Sequence, residues 1–114
     1  MVTPLSEPKL FISNRMAIKF LGLQRSDKPE KKYMATFEVE GRERTTHFGD
    51  SSMKDYTTHP KGIREARKKA YDSRHRSNEN WSDPTSAGAL AKYILWNKTS
   101  ISASLADYRR RFNL

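Results

Sequence analysis

Sixteen residues, KGIREARKKAYDSRHR (61–76), carry Lys61, Arg64, Arg67, Lys68, Lys69, Arg74 and Arg76 against only Glu65 and Asp72. Ammonium and guanidinium groups at this density either keep a helix face in water or neutralise the phosphates of a polyanion. On a helix turning about 100° per residue, Arg74, Arg67, Tyr71, Arg64, His75 and Lys68 follow one another across an arc from about 20° to about 140°, counted from Ile63. Glu65 and Asp72 stand apart, near about 180° to 200°. An ion-paired surface helix interleaves its signs at i, i+4, and here only Glu65 and Lys69 do so. The segregation points to a phosphate-tracking surface of Arg64, Arg67, Lys68, Arg74 and Arg76, with Tyr71 beside sugar or base. Ile63, Ala66 and Ala70 would then face the protein. The competing reading is a solvated face whose arginine stems cover the rest of the fold.

Other candidate chemistry is thinner. Arg109 and Arg110 extend the basic character, but Arg109, Arg110 and Arg111 fan around their helix, and basic residues also suit a helix C-terminus. His47, Asp50, Asp55 and His59 match no metal-ligand spacing. Glu38 and Glu40 share one side of a strand but lack the further Glu-x-Lys element of a nuclease site. There is no cysteine, no glycine-rich phosphate loop and no nucleophile motif. No catalytic residue, metal or cofactor is expected. Trp81, Trp96 and Tyr93 could stack on unpaired bases, but burial in the core or at a self-association surface is the expectation.

The elements that must position these groups follow from periodicity. The chain has 114 residues, 35% hydrophobic and 31% charged, so one lean domain is expected. RMAIKFLGLQ (15–24) is an apolar run consistent with a strand. YMATFEVE alternates, with Ala35, Phe37 and Val39 on one face. Gly41-Arg42 suits a two-residue hairpin turn, which would pair Val39 with Arg44, Phe37 with Thr46 and Ala35 with Phe48. Helical spacing then takes over. Pro60 opens a first helix, Asp83 caps a second with Pro84 as its first residue, and Thr99 or Ser100 caps a third. The second buries Ala87, Leu90, Ala91, Ile94 and Leu95. The third buries Ile101, Leu105, Tyr108 and Phe112. The expected fold is α+β: a three-stranded antiparallel meander followed by three short helices packed on it. Residues 1–14 form a flexible arm and 15–114 the single domain.

The net charge is +9 and it is uneven. Residues 1–60 hold 10 Lys+Arg and 8 Asp+Glu, whereas residues 61–114 hold 12 and 5. A polyanion partner follows, and the second half of the chain should present it. MVTPLSEPKLF lacks the basic start and apolar run of a signal peptide, and no apolar stretch is long enough to span a membrane. The sequons at Asn80 and Asn97 are then chance matches, and an unsecreted protein is expected.

KKYMATFEVEGRERTTHFGD, MKDYTTH, NWSDPTSAGALAKYILWNK and ISASLADYRRRF together resemble a family of small basic proteins of giant double-stranded DNA viruses, of the marseillevirus type. The likeness covers roughly residues 31–112. It implies a virion or late protein that binds nucleic acid as a dimer, located in the virion and the infected host cell. It carries over no enzymatic activity and no functional residues. The expected function is non-enzymatic, mainly electrostatic binding of double-stranded DNA, with RNA as the other polyanion, by a homodimer that hides the apolar surface a lean core leaves open. The alternatives are a structural or host-interaction module that binds an acidic protein and, behind it, a nucleic-acid hydrolase.

Overall fold

Alternation of apolar and polar side chains builds the first half into a sheet. The structure, a computed structural model, describes residues 17–75 and 81–114. The expected arm at 1–14 and Arg76 lie outside the described residues. Strands β1 (Ile18–Arg25), β2 (Lys31–Val39) and β3 (Arg42–Asp50) form one antiparallel sheet in the order β1-β2-β3. Ala35, Phe37 and Phe48 are almost fully buried on its inner face. In β1 the pairing slips between Phe20 and Gly22, which leaves Leu21 as the extra residue of a bulge and 53% exposed. The slip lets Ile18, Phe20 and Leu23 all pack on the core although their spacing breaks strict alternation.

The β2–β3 turn differs from the sequence expectation by two residues. Glu40 and Gly41, with φ of 51° and 82°, are the two loop residues, so Val39 pairs with Arg42, Phe37 with Arg44 and Ala35 with Thr46. Two consecutive positive φ values give the turn whose twist matches that of the flanking strands. A shift of two keeps every side chain on its expected face, so the core assignment survives the register correction.

Three helices follow: α1 (Arg64–His75), α2 (Ala87–Leu90) and α3 (Ile101–Phe112). The α+β meander-then-helices architecture is therefore the observed one. α1 begins four residues after Pro60, whose carbonyl accepts from the Ile63 N–H in a preceding turn at 3.1 Å. α2 begins later than Asp83: Ser86 is the cap and its hydroxyl accepts from the Ala89 N–H at 3.1 Å. Asp83 instead closes a tight turn, accepting from the Thr85 N–H and hydroxyl. The Pro84 carbonyl is held by the Tyr108 hydroxyl at 2.6 Å, and the Thr85 carbonyl by Thr46 at 2.8 Å. After Leu90 the helix widens into a π-helical turn, Ala91–Leu95, in which the Trp96 N–H reaches the Ala91 carbonyl. Ser100 caps α3 and Asn113, at φ 58°, ends it.

Leu90, Ile94, Leu95 and Tyr108 meet Phe37 and Phe48 under the sheet, and Phe20 makes T-shaped ring contacts with both Phe37 and Tyr108. Each fully buried large side chain contributes about 1.5 to 3 kcal/mol relative to exposure. Burial also pushes the Tyr108 hydroxyl well above the usual phenol range.

Gly49 sits where β3 and the π-helical turn come close together. Its φ is 83°, and a Cβ there would lie 2.8 Å from Leu95 Cδ1 and 3.1 Å from Lys32 Cβ. Gly49→Ala is expected to cost about 1 to 3 kcal/mol, from positive-φ strain plus overpacking. Urea unfolding followed by circular dichroism measures it. A loss no greater than that of an Ala substitution at exposed, open Gly62 would contradict this account.

Candidate functional site

The basic helix packs the other way round from its expected orientation. Ile63 is 43% exposed and Ala66 is exposed, whereas Tyr71 is the buried residue of α1. The packed stripe is Arg64, Lys68, Tyr71 and His75, at i, i+4, i+7 and i+11. Tyr71 stacks on Trp96, with centroids 4.8 Å apart and planes 11° apart, and on His75 at 4.2 Å. The Arg64 guanidinium lies over the Tyr56 ring and points one N–H at the His59 carbonyl. Lys68 also covers Tyr56, at 4.9 Å, and donates to the Asn97 carbonyl at 3.1 Å. Cationic stems and ring faces thus do the packing expected of Ile63 and Ala66. Tyr71 is too buried to lie beside a sugar or base on the outer face of α1, and Arg64 and Lys68 are held by the protein. Arg67 and Arg74 remain exposed. The helical wheel erred because it ranked small apolar residues above a tyrosine with far more area to bury.

The C-terminal arginines have local work. Arg110 and Arg111 donate to Asp107 at 3.1 and 3.2 Å, and Arg111 also covers Tyr93. Arg109 reaches the Leu114 carbonyl and lies over Phe20. The Asn97 amide, with help from Arg111, holds the Asp107 carboxyl below the usual range against the opposing effect of burial. Trp96 is buried, as expected. Trp81 is half-buried, with the Lys92 ammonium 4.7 Å from its ring centre.

A cation cluster that the linear sequence conceals lies at the open end of the hairpin. Lys31 pairs with Asp50, so the β1–β2 turn and the segment after β3 come side by side. Ser51 joins them, its N–H donating to the Glu30 carbonyl at 3.0 Å and its hydroxyl to the Pro29 carbonyl at 2.7 Å. Ser26 braces the first turn by accepting from the Lys28 N–H, and its hydroxyl is bonded to His47 Nδ1 at 2.7 Å. Asp27 stands 4.0 Å from the far nitrogen of that imidazole and its side chain is 79% exposed. That is too long and too open to orient a catalytic base, so Ser26 and His47 form a turn lock rather than a nucleophile pair.

Between these segments lies a cleft of about 500 Å³ lined by Arg25, Lys28, Lys31, Lys32 and Lys54, with hydroxyls from Ser26, Ser51, Ser52, Thr57 and Thr58. Its one carboxylate, Asp55, is buried and bound to Lys32 at 2.5 Å. Asp55 also accepts from the Thr57 N–H and hydroxyl, while its own N–H donates to Thr58. The turn wrapped around it aims the Tyr56 phenol at Glu65, to which it is hydrogen-bonded, and lets the Tyr56 N–H donate to the Leu95 carbonyl. Asp50, nearby, accepts from both the N–H and the hydroxyl of Ser52, which keep its carboxyl below the usual range.

A second cleft of about 420 Å³ adjoins the first and shares Lys31, Lys32, Met53, Lys54 and Asp55 with it. Arg74 and His75 close its far side. The first cleft offers several positive charges around one spent acid, which suits phosphate oxygens. Sequence reasoning missed it because Lys28 and Lys54 are far apart in the chain. Folding the hairpin back from Gly41 and asking which charges meet at its open ends was the available signal. Glu38, Glu40 and Glu43, which lower the charge count of the first half, sit at the hairpin turn, about 23 Å of strand away.

The model of a family of unknown function (DUF5754) matches residues 21–75, from β1 to the end of α1. No curated protein and no solved structure matches. The matched span contains every cation of the first cleft and omits α2 and α3. Among the described residues no helix is long and apolar enough to cross a membrane.

Asp55→Ala is expected to cost about 3 kcal/mol or more, since it strands the Lys32 ammonium and unties the turn. Thermal melting against a surface control such as Glu43→Ala measures it, and equal effects would refute the central role of Asp55. His59 sets a pH response. Desolvation, with Arg67 and Lys54 adding repulsion, holds its imidazole below the usual value. The unfolded chain therefore takes up a proton near about pH 6.5 that the folded one refuses. Stability should be full above about pH 6.5 and fall as pH drops toward the depressed folded value. His59→Gln should flatten the melting temperature between about pH 7 and pH 5.5, and an unchanged slope would exclude His59 as the cause.

Proposed function

We propose that the chain binds nucleic acid without acting on it, through the cation-lined end of its hairpin rather than through the face of the basic helix. The single observation that carries this reading is the first cleft: five lysine and arginine side chains, with one carboxylate already bonded to Lys32. Such a surface meets phosphates by charge, and carries little sequence preference. Arg74, at the rim of the second cleft, continues it. Arg67 and Lys69, exposed on α1, contribute only to the general field. The likeness to small basic proteins of giant DNA viruses makes a viral genome the natural partner.

Fluorescence anisotropy on duplex DNA across a salt series tests the proposal. With about four phosphates neutralised, log K against log salt should fall with a slope of about −3.6. Lys28→Glu with Lys54→Glu should weaken binding at least about tenfold more than Arg67→Glu with Lys69→Glu, because each reversal inside the cleft adds repulsion at the contact itself. No binding at low salt, or a flat salt response, would sink the electrostatic reading. Equal losses from the two double variants would mean that no cleft is involved.

A further inference from the structure

The second cleft differs from the first in its walls. Phe48, Tyr71, Leu95 and Trp96, buried though they are, give its floor the little apolar surface they leave exposed, and the small side of Ala87, Gly88 and Ala91 leaves the space open. Lys31, Lys54 and Arg74 stand around it and, among the described residues, none of the three forms an ion pair. His75 lies at the wall and extends the column of stacked rings that runs from Trp96 through Tyr71. The cleft's volume falls in the range of sites that hold a small organic ligand, and an apolar interior with a few placed polar groups is their usual lining.

The occupant must therefore offer a flat, largely apolar body and a negative charge within reach of its edge. A nucleotide has both. A paired base in a duplex does not, because its faces are covered by its neighbours and only its edges and backbone can reach the protein. The two clefts are continuous through Lys31 and Lys54. Building on the nucleic-acid reading above, we propose that the second cleft receives one unpaired base of a DNA strand while the adjoining phosphates of that strand lie along Arg25, Lys28, Lys31 and Lys54. The preferred ligand is then single-stranded DNA, or a strand end or gap, rather than continuous duplex. Asp50, kept ionised by Ser52 at the same cleft, faces the base edge as an acceptor for ring N–H or amino groups.

The experiment compares three probes by anisotropy at one low salt concentration: a short oligothymidylate, an abasic oligomer with the same number of phosphates, and a duplex of the same length. Oligothymidylate should bind at least about tenfold more tightly than the abasic oligomer, the scale of one base stacked on a protein ring. It should also quench tryptophan emission, since Trp96 lines the cleft, and the abasic oligomer should not. Ala87→Leu, made at an exposed helix position, fills the cleft from its small side. It should abolish the preference while leaving the abasic affinity within about twofold. Equal affinity of the unmodified chain for oligothymidylate and the abasic oligomer overturns the base-binding cleft and leaves the backbone reading intact. A preference that survives in folded Ala87→Leu, or one without quenching, places the base elsewhere and overturns it as well. Failure of all three probes to bind overturns both.

Discussion

One buried carboxylate organises this molecule. Asp55 meets Lys32 from the middle strand, gathers the N–H and hydroxyl of Thr57, and has its own main chain bonded to Thr58 and His59. A buried ion pair taken alone adds little net stability, because desolvating two charges offsets their attraction. Here the carboxylate is also the template of a turn, so its hydrogen bonds are multiplied and its geometry is shared. The turn places Tyr56 between the π-helical segment and α1, and it presents the His59 carbonyl to Arg64. Sheet, connection and first helix are thus referred to one point.

Around that point the fold relies on rings and cations where a larger domain would use aliphatic residues. His59, Trp96, Tyr71 and His75 form a continuous run of neighbouring rings, and Arg64 and Lys68 cover Tyr56 beside it. A short chain with a hydrophobic share of 35% gains in this way. Each aromatic buries much area, and each long cationic side chain seals an edge while keeping its charge hydrogen-bonded. The same habit explains why so much positive charge coexists with a well-packed helix, and why charge density along the chain is a poor guide to where a partner binds.

The architecture was legible because the periods were clean. Ala35, Phe37 and Phe48 declared the inner face of the sheet, and Ile101, Leu105, Tyr108 and Phe112 that of α3. Three departures share one cause, which is tertiary contact overriding a local rule. Glu40 adopts a positive φ that a wheel or a turn table assigns to glycine, moving the register by two. Ser86 displaces Asp83 as a cap because the Pro84 and Thr85 carbonyls are already claimed by Tyr108 and Thr46. Tyr71 turns α1 over because Trp96 offers it a stacking partner. The candidate cleft was illegible for a different reason: it is assembled by the hairpin from two loops that are each unremarkable in charge.

The π-helical turn ending at Leu95 carries a consequence of its own. Such a turn holds one residue more than the regular helical ladder accommodates, and it commonly arises from a single-residue insertion into an α-helix. Were the same residues to tighten into the regular ladder, everything beyond would rotate by about 100°. Trp96 would swing away from Tyr71, and Asn97 away from both Asp107 and Lys68. Removing one residue within the turn is therefore easier to absorb than removing one from α1 or α3, which have no extra residue to give up. The added width of this short segment is what keeps Trp96 and Asn97 facing the basic helix.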